Sequence, residues 1–359
     1  MNLADLNKVA LAMVTPGKGI LAADESSGTI KKRFDAIKVE STEESRRDYR
    51  EMLFRSTEAM RNYVSGVILY DETIWQNAKD GTPLIKLIEQ SGAIPGIKVD
   101  EGTQALPNCP GELITVGLDK LAERLKKYYE RGARFAKWRA VIDIGQGTGG
   151  PGTGGPTIPT MTAIHVNAHA LARYAALCQA AQIVPIVEPE VLMDGDHDID
   201  RCYDVTQRVL NKTFQELRVQ RVALEGMILK PNMVISGKKS PKQSSVEEVA
   251  EKTIRLLKAC VPAAVPGIAF LSGGQSDEQA TAHLDAMNRI GGLPSSLPAS
   301  LPWRLTFSYG RALQAAPQKA WSGKAENLAE GQRAFTHRAR MNALASKGEW
   351  KPDLEKKAA

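Results

Sequence analysis

Charged residues stand at the ends of short apolar segments along much of the chain, an unfavourable arrangement unless the charges are paired or used in chemistry. They are Asp24 and Glu25, Asp71 and Glu72, Lys98 and Asp100, Lys137 and Arg139, Glu188 and Glu190, and Lys230. For any one of them alone, a structural ion pair is the simpler explanation. Their recurrence after most of the apolar segments favours an active site, because packing does not require converging charges.

The residue types indicate imine chemistry on a phosphorylated substrate. Burial and neighbouring cations can lower the pKa of a lysine until a nucleophilic amine is available, and a nearby carboxyl group can then carry protons. The iminium that forms is an electron sink for breaking an adjacent carbon–carbon bond. These residue types do not say which lysine reacts. The best candidates are five cations and three carboxylates: Lys98, Lys137, Arg139, Lys230 and Arg311, with Asp24, Glu188 and Glu190.

This excess of positive charge suits phosphate groups. Two further apolar segments end in small residues, Ser272-Gly273-Gly274 and Ser308 with Gly310 and Arg311. Glycine lets the backbone approach a ligand closely, so its N–H groups can contact an anion. We therefore expect these residues to bind substrate and its phosphate.

The segments that carry these residues alternate with helical patterns. They lack polar alternation, which is typical of strands buried on both faces, and lie at 19–24, 66–72, 95–100, 134–139, 184–190, 226–232, 268–274 and 305–311. Eight such strands alternating with helices predict an α/β fold, a (β/α)8 TIM barrel in one domain over residues 1–345. In such a barrel the carboxyl ends of the strands meet at one mouth.

Three segments depart from the alternation. Residues 145–160 are rich in Gly, Pro and Thr and predict a flexible loop inserted after the fourth strand, and residues 291–303 predict a second irregular loop. Residues 346–359 are charged and predict a flexible C-terminal tail.

Composition excludes several classes of protein. The net charge is +6, but basic residues are spread among acidic ones without an arginine-rich arm, so nucleic acid is not expected as a partner. No apolar run is long enough for a membrane span, and the N-terminus has no basic segment typical of a signal peptide. The four cysteines are far apart and predict free thiols in a reducing compartment. We expect a cytoplasmic protein.

No metal site is predicted. His165 and His169 are four residues apart on a predicted helix, a spacing that metals can use, but no third ligand is near in sequence. Residues 194–198 (DGDHD) lack the twelve-residue calcium pattern and are expected to form a solvated loop.

The motifs resemble the class I, Schiff-base-forming fructose-bisphosphate aldolase family from about residue 16 to about residue 345. The matching motifs are LAADES (21–26), GIKVD (96–100), FAKWR (135–139), PIVEPE (185–190), ILKPNMV (228–234), FLSGGQS (270–276) and TFSYGRALQ (306–314). The resemblance implies that Lys230 forms the Schiff base and that Glu188 carries protons. It further implies that Lys137 is their electrostatic partner, that Asp24 orients Lys230 and assists cleavage, and that Glu190 belongs to the same charge network.

The resemblance also implies two phosphate sites. Ser272, Gly273, Gly310 and Arg311 match the family's site for the ketose C1 phosphate. A second group matches positions at the opposite end of the substrate: Ser26, Arg33, Lys98 and Arg139.

The function implied is reversible cleavage of fructose 1,6-bisphosphate to dihydroxyacetone phosphate and glyceraldehyde 3-phosphate, in glycolysis and gluconeogenesis, without metal or organic cofactor. A homotetramer is expected from the family. The chain departs from eukaryotic members, which often end in a tyrosine, because it has no tyrosine after Tyr309. The alternatives are another Schiff-base barrel aldolase or transaldolase, and a catalytically weak scaffold protein.

Overall fold

Short buried strands form the centre of the computed structural model, which describes residues 2–145, 158–292 and 301–358. The strands are β1 (Gly19–Ala23), β2 (Val64–Leu69), β3 (Ile94–Lys98), β4 (Thr103–Ala105), β5 (Leu113–Thr115), β6 (Phe135–Ile142), β7 (Val184–Val191), β8 (Ile228–Leu229), β9 (Gly267–Phe270) and β10 (Arg304–Tyr309). Eight of them close into a parallel barrel in the order β1-β10-β9-β8-β7-β6-β3-β2, and β4 and β5 form an antiparallel hairpin outside it. The predicted (β/α)8 barrel is confirmed.

Helices surround the barrel. They are α1 (Leu3–Met13), α2 (Ser27–Ala36), α3 (Glu43–Phe54), α4 (Thr57–Asn62), α5 (Asp71–Trp75), α6 (Leu84–Gln90), α7 (Leu121–Arg131), α8 (Met161–Ala180), α9 (Ile199–Val219), α10 (Val246–Cys260), α11 (Asp277–Gly292), α12 (Arg311–Trp321) and α13 (Leu328–Ala345). Short 3₁₀ turns lie at Leu224–Gly226, Ala325–Asn327 and Pro352–Ala358. None of the helices in the described part of the chain is long and apolar enough to cross a membrane.

Side-chain caps fix where several helices begin. Thr160, Asp198 and Ser245 each accept a hydrogen bond from a backbone N–H in the first turn of α8, α9 and α10. The helical pattern of residues 41–60 is divided into α3 and α4, because Ser56 leaves the helical conformation and donates its hydroxyl hydrogen to the Met52 carbonyl.

Alternate residues of the strands point into the barrel. Ile20, Phe135, Ile186 and Ile228 belong to one buried cluster, which α1 joins at the amino end of the barrel. The outward residues pack against the helices. For example, the ring centroids of Trp138 and of Tyr174 in α8 are 5.6 Å apart. Trp138, between Lys137 and Arg139 in sequence, thus packs outside the barrel against α8.

The inward rows continue, two residues at a time, to the charged residues at the carboxyl end. Ile20 and Ala22 lead to Asp24, Phe135 leads to Lys137 and Arg139, Ile186 leads to Glu188 and Glu190, and Ile228 leads to Lys230. The register aligns the rows between strands, since Lys98 of β3 pairs with Lys137 of β6 and Arg139 of β6 pairs with Glu188 of β7. The fold therefore directs the candidate residues to one mouth.

The segments predicted to be irregular are only partly described. Most of 145–160 and of 291–303 lies outside the described residues. In the predicted tail, Trp350 is buried, and its backbone N–H donates to Asp285 at 2.8 Å. Glu355 pairs with Arg338 at 2.7 Å. These are packing contacts that the prediction of a flexible tail did not include.

Candidate active site

A cavity of about 950 Å³ opens at the carboxyl end of the barrel. All fourteen candidate residues line it: Asp24, Ser26, Arg33, Lys98, Lys137, Arg139, Glu188, Glu190, Lys230, Ser272, Gly273, Ser308, Gly310 and Arg311. Parallel barrels bind their substrates at this end. The structure thus brings together side chains from seven of the eight barrel strands or the turns that follow them.

Glu188 lies between two buried lysines. Its Oε1 is 3.2 Å from Lys230 Nζ, and its Oε2 is 3.6 Å from Lys137 Nζ. The side chains of all three residues are about 5% exposed. Among the described residues Glu188 Oε2 has no hydrogen-bond partner, although it is buried. A carboxylate in this position can exchange a proton with a group bound at Lys230.

Lys137 is surrounded by carboxylates. Its Nζ lies 2.7 Å from Asp24 Oδ2 and 3.7 Å from Asp100 Oδ2, in addition to Glu188. Burial alone would lower the pKa of Lys137, but the charges of Asp24, Glu188 and Asp100 outweigh burial and raise it. Burial would likewise raise the pKa of Asp24, but Lys137 and Lys230 lower it to about 2. Lys137 therefore stays an ammonium ion, which is not a nucleophile.

Lys230 has a different surrounding. In the described part of the chain, Glu188 is its only carboxylate partner within 4.0 Å. The neighbouring strand β9 leads into Leu271, Ser272 and Gly273, which carry no charge. Lys230 therefore has one carboxylate within ion-pair distance, where Lys137 has three.

Asp100 is a site residue that the candidate set omitted. It pairs with Lys98 at 2.7 Å and accepts a hydrogen bond from the backbone N–H of Arg139 at 3.3 Å. Its position two residues after Lys98 was the available signal, since both lie at the end of the same predicted strand.

The two arginines expected at the far end of the substrate are each paired with a carboxylate. Arg139 donates to Glu190, and Arg33 donates to Glu25. Although burial would lower the pKa of Arg139, the Glu190 charge raises it. Arg33 Nη2 lies 3.7 Å from the position of an ideal Cβ at Gly310. Arg33 thus lies beside the residues expected to bind the C1 phosphate, whereas the resemblance grouped it with Ser26, Lys98 and Arg139.

The charge of the cavity also differs from the sequence-based prediction. The lining carries seven lysines and arginines and seven carboxylates, so it has no excess of positive charge when every group is ionised. The prediction of a basic mouth is wrong for the lining as a whole, because beyond the predicted charges the lining adds two arginines and four carboxylates: Arg33 and Arg124, with Glu25, Asp71, Asp100 and Glu101. Affinity for phosphate must therefore come from local groups.

Such local groups meet at the ends of β9 and β10. The Ser308 hydroxyl is buried and has no hydrogen-bond partner in the described structure, and Gly310 is the N-cap of α12. Gly274 has a φ of +79°, and a Cβ there would lie 2.2 Å from Met193 Cγ, so both conformation and space require glycine. Arg311 is held by the Gln275 carbonyl. Hydroxyl, backbone N–H and guanidinium groups together can bind an anion.

The histidine pair lies away from this cavity. His165 Nδ1 and His169 Nδ1 lie 3.4 and 3.1 Å from the Glu216 carboxylate oxygens, and Lys212 Nζ lies 2.8 Å from the same carboxylate. Within the described ranges, no group of three or more His, Cys, Asp or Glu residues is placed to hold a metal ion.

Comparison with known proteins matches the chain to one family. The model of the class-I fructose-bisphosphate aldolase family matches residues 5–359. The chain belongs to this family. A probable class 1 fructose-bisphosphate aldolase of Xanthomonas campestris is 55% identical over 352 residues, 98% of this chain and 100% of that protein. Fructose-bisphosphate aldolase 1 of Toxoplasma gondii is 52% identical, over 96% of this chain and 91% of that protein.

A solved structure of fructose-bisphosphate aldolase from Plasmodium falciparum has a TM-score of 0.90 and 46% sequence identity, covering 97% of this chain and 96% of that one. A cytosolic aldolase of Arabidopsis thaliana is 50% identical over 95% of this chain and 82% of that protein. The predicted family is confirmed, and with it an enzyme of the lyase class.

Proposed function

We propose that this aldolase-family enzyme cleaves fructose 1,6-bisphosphate reversibly to dihydroxyacetone phosphate and glyceraldehyde 3-phosphate through an imine on Lys230, in glycolysis and gluconeogenesis. One observation supports the imine most directly: Glu188 lies within 4 Å of two buried lysines that differ in their carboxylate neighbours. Lys137, with three, is held as a cation, and Lys230, with one, supplies the amine.

Imine formation needs proton transfer at the substrate ketone. Glu188 takes up the proton that Lys230 gives up, the Lys230 amine attacks the C2 carbonyl, and Glu188 then delivers that proton to the carbinolamine hydroxyl group, which leaves as water. The ammonium group of Lys137, 3.6 Å from Glu188, favours the return of that carboxyl group to the carboxylate form. One water leaves, and the iminium nitrogen carries the positive charge.

Cleavage uses the iminium as the electron sink. Asp24 or Glu188 accepts the proton of the C4 hydroxyl, the C3–C4 bond breaks, and its electron pair moves into the enamine. Glyceraldehyde 3-phosphate leaves as the aldehyde. Protonation of the enamine at C3 and addition of water to the imine then release dihydroxyacetone phosphate and restore Lys230. Because the iminium supplies the electron sink, no metal or organic cofactor is needed in this scheme.

The two phosphates are assigned to opposite sides of the cavity. Ser272, Gly273, Ser308, Gly310 and Arg311 would bind the C1 phosphate through hydroxyl, backbone and guanidinium groups. Lys98, Arg139 and Ser26 would bind the C6 phosphate, and Arg33 lies close enough to Gly310 to contact the first phosphate instead. In this assignment a bisphosphate contacts both groups of residues, whereas fructose 1-phosphate contacts only the first.

Borohydride trapping tests the proposal. Incubation with dihydroxyacetone phosphate and borohydride in excess chelator should attach the reduced substrate to the peptide carrying Lys230. The Lys230→Met variant should give no adduct, whereas Lys137→Met, if folded, should give a slow adduct still on Lys230. Cleavage by the unchanged protein without any adduct would refute the imine route, and activity lost in chelator but restored by zinc would refute the metal-free scheme.

We also propose a cytoplasmic location and a homotetramer. The similarity to the cytosolic Arabidopsis aldolase supports the location. The tetramer is an expectation from the family, and light scattering of the purified protein would measure its mass against 39.0 kDa for one chain.

A further inference from the structure

A buried glutamine links the parts of the proposed C1-phosphate site. Gln275 follows Gly274 and is 4% exposed. Its backbone carbonyl accepts a hydrogen bond from Arg311 Nη2. Its side-chain Nε2 points back to the Gly273 carbonyl at 3.5 Å, the limit of a hydrogen bond. One residue therefore contacts both the glycine turn after β9 and the arginine that follows β10.

The side chain of Gln275 is held by a histidine outside the cavity lining. His283, on the second turn of α11, places Nδ1 2.6 Å from Gln275 Oε1. Because an amide oxygen only accepts hydrogen bonds, Nδ1 carries the hydrogen. Burial lowers the pKa of His283 to about 4, so the ring is neutral at physiological pH and this tautomer is fixed by the contact.

We propose that His283 and Gln275 are positioning residues for the phosphate of the ketose. His283 orients the Gln275 amide, the amide fixes the Ser272-Gly273 backbone, and the Gln275 carbonyl holds the Arg311 guanidinium. Neither residue touches the reacting carbons, so their effect should appear in binding of the phosphate. This inference rests on the proposed function for the identity of the substrate, but the binding of an anion can be measured without any chemistry.

Two substitutions at His283 separate positioning from simple packing. His283→Leu fills the space without a donor, and His283→Asn keeps a donor near the position of Nδ1. The His283–Gln275 hydrogen bond is lost in both the free and the bound protein, so the worth of a buried hydrogen bond, about five- to thirtyfold, is the upper limit of the loss in binding. We expect His283→Leu to raise both the KM for fructose 1,6-bisphosphate and the Kd for inorganic phosphate by about fivefold or more within that limit, and His283→Asn to restore both to within about threefold of the unchanged protein.

A ketone without phosphate provides the internal control. Borohydride trapping with dihydroxyacetone, which lacks the phosphate, should proceed at the same rate in the His283→Leu variant and in the unchanged protein. An equal loss of trapping rate with dihydroxyacetone and with dihydroxyacetone phosphate would overturn the proposal. A folded His283→Leu variant with an unchanged Kd for inorganic phosphate would also overturn it.

If His283→Leu does not fold, the KM, the Kd for inorganic phosphate and the borohydride trapping rates are measured for Gln275→Met instead. Equal losses of trapping rate with the two ketones, or an unchanged Kd for inorganic phosphate, would again overturn the proposal. Calorimetry with inorganic phosphate keeps this proposal distinct from the proposed function. Failure of the unchanged protein to form any adduct would refute the imine, whereas the ratio of phosphate Kd values between variant and unchanged protein would still decide the positioning role.

Discussion

Replacing Glu188 with glutamine tests the proposed mechanism directly, because the change removes a proton carrier while nearly keeping the size of the side chain. The carboxylate lies 3.2 Å from Lys230 Nζ and 3.6 Å from Lys137 Nζ, and an amide there cannot take up or deliver a proton. Positioned acid–base groups contribute about 10²–10⁴-fold to rates. We expect kcat to fall by that factor, equivalent to about 2.7–5.5 kcal/mol in the activation free energy.

The variant should remain folded, which makes the kinetic result interpretable. Lys137 keeps Asp24 at 2.7 Å and Asp100 at 3.7 Å, so its ammonium group is not left buried without a partner. The amide oxygen can still accept a hydrogen bond from either lysine. A Tm close to that of the unchanged protein would verify this.

Rapid-quench borohydride trapping with dihydroxyacetone phosphate is the suitable assay, since borohydride reduces the iminium and not the carbinolamine. The rate of adduct formation should fall with kcat. Glu190→Gln is the matched control, because Glu190 is on the same strand and pairs with Arg139, so we expect KM to change without an equal loss of trapping rate. A trapping rate in Glu188→Gln within about threefold of that of the unchanged protein would refute the reasoning, because losing a proton carrier should slow trapping far more than threefold.

Three further changes test the charge arrangement. Lys137→Met leaves Asp24 without an ion-pair partner within 4.0 Å in the described structure, while Asp100 and Glu188 keep one lysine each, and it should lower the free energy of unfolding in urea by about 3–5 kcal/mol. A loss no larger than that of Lys230→Met would contradict this charge arrangement. The pKa of Asp24 is lowered from 3.8 to about 2, so its contribution to stability is present above pH 3.8 and is lost as pH falls towards 2. The Tm difference between unchanged protein and Asp24→Asn should narrow over that range, and a constant difference would count against the Asp24–Lys137 pair. Arg311→Ala should raise the KM for fructose 1,6-bisphosphate by about 10–100-fold, as for a lost charge-assisted contact, while the rate of trapping with dihydroxyacetone changes little. A trapping rate with dihydroxyacetone that falls by the same factor as the KM rises would contradict a role for Arg311 in phosphate binding.

The barrel could be predicted because its strands are buried on both faces. The burial of all five residues of β1 and all six of β2 matches their largely apolar sequences, and all eight residues of β7 are buried although two of them are Glu188 and Glu190. The two-residue period of a strand predicts that Lys137 and Arg139 point to the same side of their strand, as do Glu188 and Glu190. These features depend on local sequence alone.

Contacts between strands that are distant in sequence could not be predicted in the same way. Asp100 reaches Lys137 because β3 is the barrel neighbour of β6, with the β4–β5 hairpin standing outside the barrel between them in sequence. Arg33 lies near Gly310 because β1 and β10 are neighbours where the barrel closes. The predicted barrel already makes these strands neighbours, but the alternation of strands and helices does not specify which partner each side chain takes at the barrel mouth.

The same strand order accounts for the difference between the two lysines. Lys137 lies on β6, whose neighbours in the barrel are β3 and β7. Asp100 follows β3, and Glu188 lies on β7. Asp24 faces Lys137 across the barrel mouth. Lys230 follows β8, which has β7 on one side and β9 on the other, and β9 leads into uncharged residues. In the proposed mechanism, Lys137 with its three carboxylates is the cation and Lys230 with one carboxylate is the nucleophile. Glu188 lies on the strand between them, so a single carboxylate can serve the nucleophile while remaining close to a permanent cation. The residue types at the strand ends do not distinguish the two lysines, whereas their carboxylate neighbours in the folded barrel do.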